Sequence, residues 1–483
     1  MNKINKILLV YAINHNHNDY RKIQMLGISY LQSALHKEGF DCDCYDGNIG
    51  TLTEDELVKY IIDKAYDFIG FSILFSNTKL SLRIAESIKN INPKVVVAFG
   101  GTNATVIHKE LIDNYPFIDV VMRGAGEEMI VSLIKDYNKH GKFLALLKSC
   151  SYQNINNKRI YATEIAEIEN LDSLVYPNRE HAFEYSYTII GNEKYHNIDI
   201  STSRGCPYQC VFCSVPMFRL KWKSRSAKNV LSEIQQIYNK KHNIYIIFID
   251  DNFLINVDRA LEITKGIYYM GLKDRVRIPF VFATRADQLL RLSKETLLKF
   301  KQYGCYSIEI GIENGSNTVL KRMKKNITVE QNEQIISNLA EIGMNIGIDF
   351  ILFDNKTTIN ELKENYDFFK RNGLIGYYPA LIYNQMYPYP GTEYAEKNID
   401  MNHYFENKDV EFVYKQIELF SIEIQPFIDK LLISQKLDII DEIWLKTLPY
   451  FAFEKFLFHH YSFEQYEKEN NIKEKIRIME ESV

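Results

Sequence analysis

A chain of 483 residues exceeds what one ordinary core serves, so about two to four domains are expected. Hydrophobic residues make up 46% and charged residues 25% of it, the balance of a globular protein rather than of a disordered or fibrous one. A net charge of −4 gives no support for a nucleic-acid or acidic-membrane partner held by bulk electrostatics. No apolar run approaches the roughly 18 residues a membrane span needs, and Met1 to Asn5 opens polar, so a cytoplasmic protein without a membrane span is expected. The seven cysteines (42, 44, 150, 206, 210, 213 and 305) form an odd set without an export signal, which argues against a disulfide framework.

From Lys6 to about Lys139 short apolar runs alternate with amphipathic stretches. ILLVYAI precedes a helix around Gln24–Glu38, FDCDCYDG a helix near Glu54–Lys64, and DFIGFSIL a helix around Leu80–Lys89. VVVAFGG then leads to a helix near Thr105–Asn114, and DVVMRG to one starting at Glu127. Strands alternating with helices predict a doubly wound parallel sheet over residues 1–139. Ligands of such sheets lie beyond the carboxyl ends of the strands, which points to His15–Asp19, Ser72–Thr78, Gly100–Thr105 and Arg123–Glu127.

Residues 140–195 lose this alternation and read as a linker with some local structure, Pro177 marking the crossing. A second series over 196–394 carries six strand-like segments, NIDIS, IYIIFID, IPFVFAT, YSIEIGIE, NIGIDFILF and ALIYNQM, which predicts a partial (β/α)6 barrel of the TIM type. Residues 395–483 show aromatic, Leu, Lys and Glu residues at helical spacing, read as a helical carboxy-terminal extension.

Three cysteines crowd into eight residues after the first barrel strand, in Ser203-Arg204-Gly205-Cys206-Pro207-Tyr208-Gln209-Cys210-Val211-Phe212-Cys213. Three thiolates in one loop suit three irons of a cubane and leave a fourth iron open. Zinc is the alternative, but closed zinc sites need four ligands and no fourth Cys or His stands at a suitable short spacing.

This segment resembles the signature of the radical S-adenosylmethionine (SAM) superfamily, and the resemblance spans residues 197–394. It implies a 4Fe-4S cluster on Cys206, Cys210 and Cys213, whose open iron takes the amino and carboxylate groups of SAM and reductively cleaves it to a 5′-deoxyadenosyl radical. Phe212 matches the position beside the adenine, and Asp250-Asp251-Asn252-Phe253 the place where the family meets the SAM amino group, a helix-capping loop being the alternative. In Ser307-Ile308-Glu309-Ile310-Gly311-Ile312-Glu313 strict alternation puts Glu309, Gly311 and Glu313 on one face. GIENGS resembles the strand that contacts the ribose and methionine parts of SAM, which singles out Glu313, while Glu309 has the lower rim as its alternative. Arg285 is the candidate partner for the SAM carboxylate, with a salt bridge to one of these acids as the alternative. Tyr389-Pro390-Gly391-Thr392 resembles the family's PGT turn, while Phe353-Asp354-Asn355-Lys356-Thr357-Thr358 departs from its fifth-strand glycine-proline turn.

A doubly wound domain ahead of such a barrel is similar to the cobalamin-binding subfamily. The words that agree are Met25-Leu26-Gly27-Ile28-Ser29-Tyr30-Leu31, Phe99-Gly100-Gly101-Thr102 and Asp119-Val120-Val121-Met122-Arg123-Gly124-Ala125-Gly126-Glu127. They make Gly100, Gly101, Thr102, Gly124 and Glu127 candidate contacts to cobalamin. No Asp-x-His-x-x-Gly occurs, so no lower axial histidine from that motif is expected, and His15 and His17 read as solvated. No Gly-x-Gly-x-x-Gly follows the first strand, which sets nicotinamide chemistry aside.

The resemblance implies a radical SAM enzyme that methylates an unactivated carbon of a small molecule or specialised metabolite, supplied with electrons by an external one-electron donor such as flavodoxin or ferredoxin. A radical SAM dehydratase, cyclase or rearrangement enzyme without methyl transfer is the alternative within enzymes. An iron–sulfur electron carrier or sensor is the alternative outside them. No residue is singled out as a catalytic acid, base or nucleophile.

Overall fold

The computed structural model describes residues 3–13, 23–143, 148–153, 158–218, 221–374 and 384–399. Lys6–Tyr11 (β1), all but its first residue buried, anchors the first sheet. After it come Leu26–Lys37 (α1), Asp41–Asp46 (β2), Glu54–Lys64 (α2), Phe68–Ser72 (β3), Thr78–Ile91 (α3), Val96–Gly100 (β4), Thr102–Asn114 (α4), Val120–Met122 (β5) and Glu127–His140 (α5). Strands this apolar suit a sheet covered by helices on both faces. Local chemistry sets the helix starts: Thr53 and Glu56 form a reciprocal capping box on α2.

Cys150–Gln153 (β6) and Arg159–Ile160 (β7) extend that sheet, giving the order β2-β1-β3-β4-β5-β6-β7. The first five strands run parallel, as the alternation predicts, while β6 and β7 are antiparallel. The chain reverses its direction of travel across the sheet between β1 and β3, and a doubly wound sheet opens its ligand crevice at that point.

Tyr187–Ile190 (β8) and Glu193–Ile200 (β9) form a hairpin that begins the second sheet. Ser203–Arg204 (β10) pairs with Lys223–Ser224 (β11) in a separate two-stranded ladder. Then come Ala227–Lys240 (α6), Ile244–Phe248 (β12), Val257–Lys273 (α7), Phe280–Arg285 (β13), Ala286–Leu289 (α8), Lys294–Tyr303 (α9) and Cys305–Glu313 (β14). Asn317–Arg322 (α10), Val329–Glu341 (α11), Asn345–Phe353 (β15), Ile359–Arg371 (α12), Asn384–Gln385 (β16) and Glu393–Asn398 (α13) complete the described chain. The order β16-β15-β14-β13-β12-β9-β8 puts six parallel strands in a curled, open sheet, the partial barrel, edged by the antiparallel β8. Beyond α13 the expected carboxy-terminal helices lie outside the described residues, as does most of ALIYNQM.

The polar stretch 140–195 therefore supplies β6 and β7 to one sheet and β8 to the other. It also carries the joint between them. Arg179 donates to Gln24 Oε1, to the Asp199 carbonyl and to Glu233 Oε1, each at 2.7 Å. Glu233 Oε2 accepts from Arg225 at 2.6 Å, so a fully buried carboxylate lies between two buried guanidiniums. Tyr185 OH donates to Asp46 Oδ2 at 2.8 Å from the same stretch. Such a network is costly to break, because removing one charge strands the others away from water. Among the described residues no helix is long and apolar enough to cross a membrane.

Candidate active site

The cysteine loop leaves the carboxyl end of β9 and is closed at its base by the β10–β11 ladder. Asp250, at the end of β12, pins that exit. Its Oδ1 accepts from Thr202 N at 2.6 Å, and its Oδ2 accepts from the Thr202 hydroxyl and from Ser203 Oγ. Burial pushes its carboxyl above the usual range against these donors. Asp250 is thus a brace, both oxygens engaged and only 4% exposed. Asp251 is the exposed member of the pair and accepts from Gly205 N at 3.1 Å. The capping foreseen for this segment belongs to Asn252, whose Oδ1 accepts from Leu254 N at 3.3 Å, while Phe253 stacks on Phe248 in the core.

Cys206, Cys210 and Cys213 are free thiols, each half-buried. Burial raises Cys206, and raises Cys213 to about 11, with the neighbouring thiolates and Asp251 adding to the shift. The three thiols therefore share one charge environment. Among the described residues no three His, Cys, Asp or Glu side chains gather as they must around a single metal ion. Three thiolates of one loop suit a cubane, in which each takes a separate iron. Arg285 supplies compensating charge: its Nη1 lies 3.3 Å from Cys210 Sγ and its guanidinium 3.8 Å from the Tyr208 ring centroid. Its Nε donates to Asp287 at 2.7 Å and Nη2 to the Lys325 carbonyl. The salt bridge foreseen as its alternative exists, to Asp287 rather than to an acid of β14. Phe212 packs against the cluster of Val211, Val319, Met323 and Met386.

At the end of β14, Glu313 has a left-handed backbone (φ +66°), a costly conformation for a residue with a side chain. A bulge between Gly311 and Glu313 breaks the alternation expected there. Glu313 Oε1 accepts from Lys325 Nζ at 2.5 Å, both residues buried. Gly311 is small for a reason: a Cβ there would stand 2.6 Å from Glu313 Oε1 and 2.8 Å from Lys325 Nζ. Glu309 lies over Gly347, where any Cβ would meet its carboxylate at 1.6 Å. Lys325 escaped the sequence reading, since nothing local marks a lysine whose partner lies in the preceding strand. Glu313 and Lys325 thus hold a carboxylate and an ammonium together in a buried pair at the end of β14.

Between the two sheets lies a cleft of about 1450 Å³ of atom-free space, counting its open side. Gly100, Gly101, Thr102, Gly124 and Glu127 all line it, as expected of a shared ligand site. Gly101 (φ +96°) and Gly124 (φ +91°) are held by backbone: a Cβ would approach Ile73 O to 2.8 Å and Ala166 O to 2.3 Å. Gly27 and Gly100 differ. A Cβ at Gly27 would meet nothing within 4 Å, and one at Gly100 only Met122 Cε at 3.7 Å, so these positions leave room in the cleft itself. Leu9, Leu26, Phe71 and Met122 give it an apolar floor. This broad, glycine-surfaced, largely apolar cradle fits a corrinoid. His15 and His17 lie outside the described residues.

The barrel contributes the opposite wall through Ser201, Arg204, Phe218, Lys221, Lys223 and Ile249. Four of these belong to the cysteine loop and its base ladder, so that loop faces the cleft directly. Arg204 Nη2 donates to Glu127 Oε1 at 2.5 Å across the joint, and its guanidinium lies 5.4 Å from the Tyr30 ring centroid. Nothing local in the sequence marks a role for Arg204, because its partner is 77 residues away.

Residues 200–369 match the family model described as the radical SAM superfamily, and residues 19–134 match the B12 binding domain. An uncharacterized methyltransferase of Pyrococcus horikoshii is 29% identical over 382 residues, 77% of this chain and 78% of that protein. The anaerobic magnesium-protoporphyrin IX monomethyl ester cyclase of Rubrivivax gelatinosus is 25% identical, over 70% of this chain and 60% of its own length. The 4′-phospho-dehydrooxetanocin synthase of Priestia megaterium is 28% identical over 72% of this chain but 48% of its own, so the chain spans about half to three-fifths of these last two. In fold, the cobalamin-dependent SAM radical enzyme OxsB, solved with aqua-cobalamin and SAM, superimposes with a TM-score of 0.72 at 23% identity, over 94% of this chain and 71% of that one. The radical SAM methyltransferase TsrM from Kitasatospora setae gives a TM-score of 0.60 at 14% identity, over 76% of this chain and 73% of that one. The thiol triad at the mouth of a curled parallel sheet, the glycine cleft facing it and the two family models agree: the chain belongs to the radical SAM superfamily, in the branch with an amino-terminal cobalamin-binding domain, and is an enzyme using a 4Fe-4S cluster, SAM and cobalamin.

Proposed function

We propose that this enzyme methylates an unactivated carbon of a small molecule. The observation that carries the reading is the shared wall: the back of the cysteine loop is one side of the glycine-lined cleft. A methyl carrier in the cleft and a radical source in the loop would thus lie on either side of one wall. When bound, the cluster and SAM supply a hydrogen-abstracting 5′-deoxyadenosyl radical, and the corrinoid supplies a transferable methyl group.

The chain's own residues bind, orient and exclude water. Cys206, Cys210 and Cys213 hold the cluster, with Arg285 balancing their charge. Phe212, Asp251, Glu313 and Lys325 surround SAM, and Asp250 keeps the loop exit fixed. Gly100, Gly101, Thr102, Gly124 and Glu127 seat the corrinoid, while Phe71, Met122 and Ile249 line its cleft with apolar surface. Electrons come from an external one-electron donor such as a flavodoxin or ferredoxin. Residues 1–139 are assigned as cobalamin domain, 140–195 as a linker that adds edge strands to both sheets, 196–394 as barrel and 395–483 as extension.

Methyltransferases among the relatives support this reading, and the cyclase and the synthase support a radical rearrangement or cyclisation without methyl transfer as the second. Product stoichiometry separates them. Anaerobic enzyme loaded with cluster and hydroxocobalamin is given SAM and a reductant, and S-adenosylhomocysteine and 5′-deoxyadenosine are quantified together. Both products with a methylated corrinoid are expected of a methyltransferase; 5′-deoxyadenosine alone, with no methyl leaving SAM, would establish the second reading.

A further inference from the structure

In Met386-Tyr387-Pro388-Tyr389-Pro390, just past β16, burial alternates strictly: Met386, Pro388 and Pro390 are buried, while Tyr387 and Tyr389 stand 38% and 45% exposed. Such alternation turns both tyrosines to one side of the segment, and their ring centroids lie 5.0 Å apart, tilted by 47°. Phe75, from the loop between β3 and α3 of the first sheet, completes the group at 5.0 Å from Tyr387 and 6.2 Å from Tyr389. Three rings are thus gathered from both halves of the molecule, and two of them stay open to solvent. The backbone under the tyrosines is fixed. Tyr389 N donates to the Tyr387 carbonyl at 2.9 Å, and the Tyr389 carbonyl accepts from Thr392 N at 3.1 Å and Thr392 Oγ1 at 2.7 Å. The prolines on either side of Tyr389 remove further freedom.

Contacts of the same turn place the group. A Cβ on Gly391 would lie 2.9 Å from Met217 Sδ of the cysteine loop and 2.9 Å from Val106 Cγ1 of α4. Tyr394 N donates to the Val211 carbonyl at 3.0 Å, and Met386 packs in one cluster with Val211, against which Phe212 lies. Met217, Val106 and Phe75 are in turn close chain neighbours of Phe218, Thr105 and Ser72, which line the cleft. The rings therefore stand where the cysteine loop and the rim of the cleft meet.

We propose that Phe75, Tyr387 and Tyr389 form the substrate platform, and that the substrate carries a planar aromatic or heteroaromatic ring that stacks on them. The inference rests on the reading that a small molecule reacts close to both cofactor sites. Large aromatic side chains left open to water in one cluster mark a binding surface. Rings held at these spacings and tilts present faces and edges that suit another ring better than a flexible chain, and because the turn fixes them in advance, little ordering is lost when they are used.

The test is anaerobic equilibrium dialysis of the full-length holoenzyme, loaded with cluster, hydroxocobalamin and SAM, against two neutral probes of one skeleton: 2-naphthol and its saturated counterpart decahydro-2-naphthol. The wild type is expected to bind 2-naphthol about tenfold more tightly, within the range that stacking on aromatic side chains supplies. Burial of apolar area alone gives no such preference, since the saturated skeleton is no less apolar. With Tyr387→Leu and Tyr389→Leu together the ratio falls to about one, whereas the paired Tyr387→Phe and Tyr389→Phe, which keep the rings, retain it. Rings that only packed the two halves together would, on replacement, weaken both probes alike and leave the ratio unchanged. A wild-type ratio of one, which needs no variant, overturns the proposal, as does no binding of either probe or a ratio retained by the leucine variant. Tighter binding of the saturated probe overturns it in favour of an aliphatic substrate. Corrin absorbance and 5′-deoxyadenosine from SAM are read on the same preparation: with both present, failure of the probes falls on this proposal alone, and with either absent, the reading on which it rests fails.

Discussion

The cleft and the barrel mouth are built by opposite means. On the first sheet room is made by leaving side chains out: Gly27 and Gly100 face open space, and Gly101 and Gly124 let backbone pack where a Cβ would collide. At the mouth of the second sheet the work is done by charged side chains in fixed pairs: Asp250 on Thr202 and Ser203, Arg285 on Asp287 and Cys210, Glu313 on Lys325. The contrast suits the ligands. A large, neutral-edged corrin needs surface and volume, whereas a cluster with an amino-acid cofactor needs placed charge, stable in a buried site only when paired. The first region should therefore be sensitive to added bulk and the second to deleted charge.

Gly100→Leu tests the first half most strongly. Its Cβ meets only a flexible methionine methyl, so the fold should keep its stability to within about 0.5 kcal/mol while corrinoid binding is lost. Thermal melting with a corrin titration checks both, and a variant that still binds would show that the cleft has room to spare. Deleted charge is tested most strongly at the joint. Glu233→Ala strands Arg179 and Arg225 in the interior and should cost about 3–5 kcal/mol in urea unfolding.

Asp199 gives a smaller, pH-dependent effect. It lies beside the same joint, and burial raises its carboxyl to about 6, with Arg179 pulling it down. The unfolded chain releases that proton in the ordinary carboxylate range, so the native state holds the extra proton between the two values. Stability from this group is lost as pH rises through them, by on the order of 3 kcal/mol. Unfolding free energies of wild type and Asp199→Asn should diverge from pH 4 upward and run parallel beyond about pH 7; a constant difference would place the titration elsewhere. The mildest change is Gly27→Ala. An exposed helical glycine with open space at its Cβ should gain about 0.5 kcal/mol on replacement, with corrinoid affinity nearly unchanged.

The contrast also decided what could be read in advance. Glycines and cysteines carry their meaning in local spacing, so the loop of Cys206, Cys210 and Cys213 and the cleft residues Gly100, Gly101 and Gly124 stood out from the sequence alone. The five parallel strands and their helices were legible for the same reason, since apolar period is a local property. Charge pairs join distant segments, and a sequence does not say which. Asp250 and Asp251 were equivalent in sequence, yet one became a brace and the other stayed accessible. Arg285 was read against a cofactor carboxylate, and its contacts with Asp287, Tyr208 and Cys210 had no local signal. Arg204, Lys325 and the Arg179 clamp gave no local signal, because each depends on a partner brought by another element. The polar segment 140–195 hid strands of both sheets, because two-residue and four-residue edge strands are too short to show a period.

Radical initiation by the loop of three cysteines, beside a corrinoid, is what sets this chain apart from an electron carrier. It is tested most directly by measuring 5′-deoxyadenosine formed from SAM under dithionite, in anaerobic protein reconstituted with iron, sulfide and hydroxocobalamin, for wild type and Cys210→Ala side by side. 5′-Deoxyadenosine is expected from the wild type, none from Cys210→Ala, and corrin absorbance is retained by both. Equal product from the two proteins, or none from a wild type with a full cluster complement, would contradict it.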